Sequence, residues 1–142
     1  MPLTEAERQS FLAEPHVGAL AVSRREPARG PLAVPVWYAY EAGGELWFTT
    51  GLDSAKARAL ARAGRFSLLV ERVEPTVRYV SVEGPVVSTT PTTDGEREYM
   101  AARYLPPEAV RAFLDLAARE HGPQVTIRMR PEHWLSADLG GF

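Results

Sequence analysis

The sequence predicts a mainly β protein of the α+β class: a small closed or split antiparallel barrel with short peripheral helices. About six apolar segments have strand character, and most are joined by short turns of the hairpin type. The three or four helical segments are short and do not alternate strictly with strands, which argues against a doubly wound parallel sheet. With 142 residues, 45% of them hydrophobic and 24% charged, the chain has the size and composition of one domain, which we expect to span residues 1–142.

The first half of the chain begins and ends with a capped helix. Thr4 and Glu7 have the spacing of a capping box, and Gly64 is a typical residue to end the second helix. Pro35 indicates an edge position or a bulge in the strand Leu32–Glu41. A Gly-Gly turn after that strand predicts an antiparallel hairpin. The predicted elements are a helix from Thr4 to about Ala13, the strands Val17–Ser23, Leu32–Glu41 and Glu45–Thr50, and a helix from Asp53 or Ser54 to about Ala63.

The second half of the chain contains the remaining strands and a pair of helices. Gly84 and Pro85 indicate a bulge or bend within a long strand. Apolar residues recur at helical spacing between Val110 and Ala117, which is typical of a core-facing or subunit-facing helix. The predicted elements are the strands Arg65–Arg72 and Val77–Ser88, a helix from about Asp94 to Tyr104, a helix that begins at Pro106-Pro107, and the strand Gln124–Arg130.

Composition excludes several classes of function. The chain has no cysteine, so disulfides, iron–sulfur clusters and thiol catalysis are excluded. Its three histidines lack metal-ligand spacing, and we expect no metal site. The net charge is −2 and the charges are interspersed, so we expect no nucleic-acid partner. No apolar run approaches the roughly 20 residues of a bilayer span, and the N-terminus is polar, so we expect a cytoplasmic protein without a membrane partner.

The segment from Thr49 to Arg58 is the most informative in the chain. A strand ends in two threonines, a glycine turn follows, and the next helix carries Lys56 in its first turn. The free amides and the positive dipole of a helix start favour an anion. A lysine there becomes favourable if a phosphate is bound at the helix start. Lys56 is the only lysine of the chain, and a solvated surface lysine is the alternative interpretation.

Aromatic residues on neighbouring strands form a second candidate cluster. Trp37 and Tyr38 lie on one predicted strand, and Trp47 and Phe48 lie on the next. Such residues usually belong to a core. The functional alternative is a wall for a planar heteroaromatic ligand.

The order of these segments resembles a known family. The stretches EPHVGALAVS, LAVPVWYAY, ELWFTTGLDSAKARAL, RFSLLVE and RYVSVEGPV follow one another from about Leu3 to Ser88. Together they look like the pyridoxamine 5′-phosphate oxidase-like, FMN-binding split-barrel superfamily, and the short chain resembles its actinobacterial-type flavin/deazaflavin branch. The resemblance implies a six-stranded split barrel that forms a homodimer, with two flavin sites at the subunit interface.

The resemblance also implies which residues bind the cofactor. The strand that contains Pro35 lies along the isoalloxazine ring and offers backbone hydrogen bonds, and the two threonines approach the ribityl-phosphate. The Ser54–Lys56 segment matches a phosphate-binding S-x-K motif, in which Ala55 replaces the usual arginine. Tyr79 stands where the family has a flavin-contacting glutamine, and Trp134 resembles an aromatic residue from the partner subunit. The implied cofactor-binding residues are Val34, Pro35, Val36, Trp37, Thr49, Thr50, Ser54, Ala55, Lys56, Tyr79 and Trp134.

These features support an FMN-dependent oxidoreductase with an unknown substrate. No side chain stands out as acid or base, and Tyr38, Arg78 and Tyr79 are the candidates. The alternatives are a deazaflavin-dependent reductase, for which Arg58 and Arg62 offer extra cations, a non-catalytic flavin- or haem-binding protein, and a barrel without a cofactor. The chain ends in HWLSADLGGF and lacks the basic substrate segment of the vitamin B6 oxidases, so we do not expect pyridoxamine phosphate oxidase activity.

Overall fold

The computed structural model describes residues 1–141 as one antiparallel sheet of eight strands with four helices. The mainly β class predicted from the sequence is confirmed. The strands are β1 (Gly18–Val22), β2 (Leu32–Val36), β3 (Ala39–Tyr40), β4 (Leu46–Gly51), β5 (Arg65–Arg72), β6 (Val77–Pro91), β7 (Gln124–Met129) and β8 (His133–Gly140). The helices are α1 (Glu5–Ala13), α2 (Ala55–Ala63), α3 (Asp94–Tyr104) and α4 (Pro107–Glu120).

The sheet curls into a half-barrel because its two ends are joined by a very short link. The strand order is β2-β1-β5-β6-β7-β4-β3, so β2 and β3 lie at opposite ends although only Trp37 and Tyr38 separate them in sequence. The Cα atoms of Val36 and Ala39 are three steps apart, at most about 11 Å, so the two ends of the sheet must lie close together. Among the described residues, no ladder joins β2 to β3 or β4, and the barrel is split at this seam.

The predicted strand Leu32–Glu41 is therefore wrong as a single element. Its first part, β2, pairs with β1, whereas Ala39 and Tyr40 pair with β4. The sequence stays apolar between β2 and β3 because Tyr38, which lies in the link, is fully buried. Its hydroxyl donates to the Leu12 carbonyl at 2.6 Å. The predicted hairpin with β4 exists, but it holds only two residue pairs.

β6 is the strand that turns the corner of the half-barrel. Its first half pairs with β5 and β8, and its second half pairs with β7. The sequence predicted a bulge or bend at Gly84 and Pro85, and the register shift lies just beyond, between Val86 and Ser88. At Gly84 the backbone of β6 lies against Arg130: a Cβ atom here would lie 1.8 Å from the Arg130 carbonyl oxygen.

The predicted count of six strands is corrected to eight. One additional strand comes from the break between β2 and β3, and the other is β8, which the sequence analysis did not predict. β8 pairs with β6 from Val77 to Glu83, and its side chains are half-buried or exposed throughout. Its hydrophobic alternation is therefore weak, because Leu135 and Leu139 point to solvent.

The cap residues predicted the start of α1 and both ends of α2 correctly. Thr4 and Glu7 form the capping box of α1. Ser54 caps α2, and Gly64 ends it in the left-handed conformation with φ 74°. Leu60 of α2 is buried in the core between the two sides of the half-barrel. None of the helices in residues 1–141 is long and apolar enough to cross a membrane.

We predict that Gly84→Ala strongly destabilises the fold. The new methyl group meets the Arg130 backbone, which cannot move aside as a flexible side chain would. We expect a loss of about 3 kcal/mol in the free energy of unfolding, measured by urea denaturation. Gly30→Ala is the control, because no atom lies within 4 Å of the position that its methyl group would take. It should change stability by less than about 0.5 kcal/mol, and an equal loss in both variants would contradict the prediction.

Candidate functional site

A cavity of about 240 Å³ opens at the split of the half-barrel. One wall comes from the end of β2 and the link that follows it, and another from β4 and the first turn of α2. The α3–α4 helical hairpin closes the cavity from outside. The barrel residues that line it are Pro35, Val36, Trp37, Thr49 and Lys56, and the hairpin and β7 residues are Arg97, Met100, Ala101, Phe113, Leu114, Ala117, His121 and Gln124.

The apolar end of the cavity lies at Trp37. The indole ring stacks on Tyr104 with a centroid distance of 4.8 Å and an interplanar angle of 8°. Phe113 contacts the same indole at 5.5 Å. Met100 and Ala101 are buried in the adjoining turn of α3. An apolar slot with an indole on one side is suited to a flat aromatic ligand.

The polar end of the cavity lies where five elements begin or end. The Leu52 N–H donates to the Pro123 carbonyl at 2.9 Å, which joins the end of β4 to the start of β7. The Thr92 N–H donates to the Gln124 carbonyl at 3.0 Å, which brings the start of α3 to the same place. α2 begins directly after β4, and α4 ends directly before β7. The polar lining residues from these ends are Thr49, Lys56, Arg97, His121 and Gln124.

Lys56 is half-buried in the first turn of α2. Ser54 accepts a hydrogen bond from the Ala57 N–H at 3.1 Å, and its hydroxyl lies 2.9 Å from that of Thr50. These two predicted hydroxyls therefore support the helix start beside the cavity. The first turn of α2 holds no acidic residue, and no ion pair within residues 1–141 involves Lys56. Its ammonium group is thus free to meet an anion from the cavity.

Polar contacts fix α3 against the barrel. The Tyr104 hydroxyl accepts from the Tyr38 N–H at 3.1 Å and faces the carbonyls of His16 and Tyr38 at 2.7 and 3.0 Å. At the other end of α3, Glu96 binds the Thr126 hydroxyl at 2.9 Å and the Arg128 guanidinium. Partial burial opposes the ionisation of Glu96, but the Thr93 N–H and these two partners outweigh it and lower its pKa. α4 buries only Leu114 and packs mainly on α3.

Several residues implied by the resemblance lie outside the cavity. Val34 packs inward against the core, and Ala55 lines a different cavity on the far side of α2. Tyr79 lies on the outer face of the sheet between Glu71 and Ala137. Pro35 lines the cavity but has no N–H, so it offers a ligand only its carbonyl.

Trp134 also lies away from the cavity. It is paired with Val82 and packs against the core, edge-on to Tyr40 at 6.2 Å. The Arg8 guanidinium lies 4.8 Å from the centroid of its ring. Within one chain, Trp134 therefore contributes to packing at the other end of the barrel.

Two of the three candidate acid–base residues, Tyr38 and Arg78, make contacts that support the fold. The Tyr38 hydroxyl is buried and hydrogen-bonded to α1, and burial raises its pKa. Arg78 donates from Nε to Asp138 at 2.9 Å. Hydrogen bonds from the Gly140 N–H, the Thr76 hydroxyl and Arg78 lower the pKa of Asp138 to about 2. No cluster of three or more potential metal ligands occurs in the part of the chain that the structure describes.

Arg97, His121 and Gln124 also line the cavity, although the sequence pattern did not predict them as site residues. All three lie near the ends of elements after residue 90, far in sequence from Lys56. Arg97, like Lys56, lies in the first turn of a helix, and that placement was the available signal. Convergence with Lys56 depends on the β4–β7 pairing, which the sequence pattern does not reveal.

The split sheet and the cavity at its seam define a split-barrel protein, and the comparison with family models agrees. The model of the pyridoxamine 5′-phosphate oxidase family matches residues 4–137. The chain belongs to this family, as its resemblance predicted. No curated protein matches the chain.

Solved structures support the same placement. A conserved hypothetical protein from Mycobacterium tuberculosis is 26% identical, with a TM-score of 0.72 over 96% of this chain and 85% of that one. A structure named F420 reductase is 25% identical, with a TM-score of 0.61 over 89% of this chain and 94% of that one. A FAD-binding protein from Mesorhizobium loti shares the fold at 18% identity, with a TM-score of 0.63 over 97% and 95% of the two chains. All three structures share the fold of this chain.

Proposed function

We propose that the protein is an oxidoreductase that binds FMN in the cavity at the split of the barrel. The observation that carries the proposal is that five of the cofactor-binding residues implied by the resemblance line one cavity. These residues are Pro35, Val36, Trp37, Thr49 and Lys56. They come from two strands and a helix that the chain separates, and only the closing of the half-barrel brings them together.

The two ends of the cavity fit the two ends of FMN. The isoalloxazine ring fits the apolar end beside Trp37, and the phosphate fits the polar end beside Lys56 and the start of α2. Charge-assisted hydrogen bonds are about twice as strong as neutral ones, so Lys56 supplies the main anchor. When bound, the ring supplies hydride or electron transfer, and the protein binds it, orients it and excludes water.

We further propose that a second copy of the chain completes the site. A cavity of about 240 Å³ is smaller than the roughly 300–1,000 Å³ of typical small-molecule sites, so one chain encloses only part of the coenzyme. The outer face of the sheet offers a surface for a partner: Leu69, Ser81 and Leu135 form a row across β5, β6 and β8. Leu135 is 65% exposed and Leu69 is 40% exposed. Tyr79 lies on this same face, next to that row.

A titration with FMN tests the coenzyme and its phosphate anchor. We expect flavin absorption bands in the purified protein, or saturable quenching of FMN fluorescence on addition of the protein. Lys56→Ala should weaken FMN binding by about 1.5–3 kcal/mol because one charged contact is lost. Lys56→Arg keeps the positive charge and should retain most of the affinity, with both melting temperatures near that of the wild type. A protein that neither carries nor quenches flavin would contradict the proposal.

Light scattering tests the dimer. We expect a particle of twice the 15.6 kDa chain mass. Leu135→Glu places a charge in the centre of the proposed interface, whose desolvation disfavours association. It should therefore yield monomers at micromolar concentration. Leu116→Glu is the control, because Leu116 is similarly exposed, at 48%, but lies on α4. If Leu116→Glu dissociated the dimer and Leu135→Glu did not, the interface would not lie on the outer face of the sheet.

A deazaflavin coenzyme is the second candidate, and a cavity beside α2 favours it. The cavity of about 620 Å³ adjoins Ala55 and is lined by Arg24, Arg25, Arg58 and Arg62. Arg24 donates to the Gly30 carbonyl at 2.9 Å, and Arg62 donates to the Ser23 carbonyl at 2.6 Å, so both guanidinium groups are held in place. Such a surface suits the longer anionic tail of a deazaflavin coenzyme, and the neighbour named F420 reductase supports this interpretation.

Parallel titrations with FMN and a deazaflavin coenzyme distinguish the two candidates. If the tail lies along the arginine cavity, Arg25→Gln should weaken deazaflavin binding several-fold at low salt and leave FMN binding unchanged. Glu26→Gln removes the one acidic residue of that cavity and should strengthen deazaflavin binding. Equal affinities of all variants for the deazaflavin coenzyme would exclude this path for its tail.

A further inference from the structure

We propose that the α3–α4 hairpin supplies two cations, Arg97 and His121, that complete a phosphate-monoester site with Lys56. The hairpin would then select the coenzyme by its phosphate and couple its binding to pH. This inference rests on the proposed coenzyme site and extends it to residues outside the barrel. Between Ser54 and Lys56 stands the uncharged Ala55, so Lys56 is the one positive charge of this motif.

The fold places the side chains of Arg97 and His121 in the lining of the cavity that also contains Lys56. Arg97 lies in the first turn of α3, and His121 is the residue that ends α4. Both line the same cavity as Lys56. The Thr92–Gln124 backbone hydrogen bond of 3.0 Å fixes the start of α3 against the start of β7. Glu96, next to Arg97, is anchored to Thr126 at 2.9 Å, so the helix that carries Arg97 has a defined position.

Arg97 is not committed to another role in the fold. Its Nη1 donates to the Asp94 carboxylate at 2.9 Å, but that carboxylate is 96% exposed. Exposed ion pairs of this kind contribute only about 0–1 kcal/mol. The guanidinium has five N–H donors in a planar fork, and the remaining ones suit the oxygens of a phosphate. A dianion in the cavity therefore offers Arg97 a stronger partner than Asp94 does.

His121 adds a charge that depends on pH. The described contacts engage its backbone N–H, which donates to the Ala117 carbonyl at 2.9 Å, and its ring has no protein partner within residues 1–141. Histidine is the side chain that ordinarily changes charge between pH 5 and 8. A neighbouring cavity of about 430 Å³ shares Arg97 and His121 with the first cavity. The other charged groups that face the histidine from α2, α3 and α4 are Lys56, Asp94, Glu98, Arg111 and Asp115.

The acidic and basic groups around His121 are mostly paired with one another. Arg111 is paired with Asp115 at 3.4 Å, and Asp94 is paired with Arg97. Glu98 has no ion pair in the described structure. A protonated imidazole attracts a phosphate and a neutral one does not, and histidine ordinarily changes charge between pH 5 and 8. The contribution of His121 to phosphate binding should therefore be larger at the lower pH.

The test compares FMN with riboflavin, which has the same ring and no phosphate. Fluorescence titrations are made with the wild type, Arg97→Gln, His121→Gln and the control Arg111→Gln, which changes an arginine of the neighbouring cavity only. We expect Arg97→Gln to weaken FMN binding about tenfold or more and to leave riboflavin binding within about twofold. Arg111→Gln should bind both ligands as the wild type does. Melting temperatures confirm that each variant is folded.

The histidine is tested by the pH dependence of the ratio of dissociation constants between His121→Gln and the wild type. FMN phosphate also titrates near pH 6, but this ratio cancels its effect. We expect a ratio of several-fold at pH 6 and near one at pH 8, whereas for riboflavin it should stay near one throughout. His133→Gln, on β8, is the matched control and should show no dependence.

The outcomes separate this inference from the proposed coenzyme site. If the wild type binds FMN and Arg97→Gln and His121→Gln bind it equally well, the barrel alone holds the phosphate and the hairpin site is overturned. If the variants lose FMN and riboflavin in parallel, the hairpin acts on the ring, and the phosphate role is again overturned. If the wild type binds neither flavin, the FMN proposal fails, and this inference fails with it.

Discussion

The link between β2 and β3 is the constraint on which the rest of the structure depends. Trp37 and Tyr38 connect the two ends of the sheet, so the sheet must curl, and the curl leaves a seam without hydrogen-bonded strands. Backbone groups at such a seam require other partners. The Tyr104 hydroxyl meets part of this requirement at Tyr38, and the α3–α4 hairpin covers the seam. The same two residues thus close the barrel and form a wall of the cavity.

Local signals predicted the helices well, because a cap is defined by a few neighbouring residues. Thr4 with Glu7, and Ser54 with Gly64, gave the ends of α1 and α2. Lys56 was identified in the same way, from its place in a helix start. The break in the strand Leu32–Glu41 could not be predicted, since both halves are apolar and only their partners differ. β8 was not predicted because an exposed edge strand lacks a regular alternation of apolar and polar residues.

There is also a physical reason why part of the candidate site could not be predicted from the sequence. Arg97 and His121 line the same cavity as Lys56 only because β4 pairs with β7. At Gly51 and Gln124 this pairing joins residues more than 70 positions apart. A single sequence shows no sign of such a pairing. Tyr79 and Trp134 illustrate the reverse case: a resemblance implied their roles at the flavin, whereas one chain places them on the outer sheet face and in the core.

The charge pattern at the helix starts explains why Lys56 stands out. α1, α3 and α4 each carry acidic residues in the first turn, which complement the positive end of the helix dipole. α2 has none, and it carries a lysine there instead, at an expected cost of about 0.3–1 kcal/mol. Local rules are broken most often where function requires it. At α2, the lysine in the first turn lies beside a cavity that is also lined by Arg97 and His121. An anion bound in this cavity would make the position of Lys56 favourable.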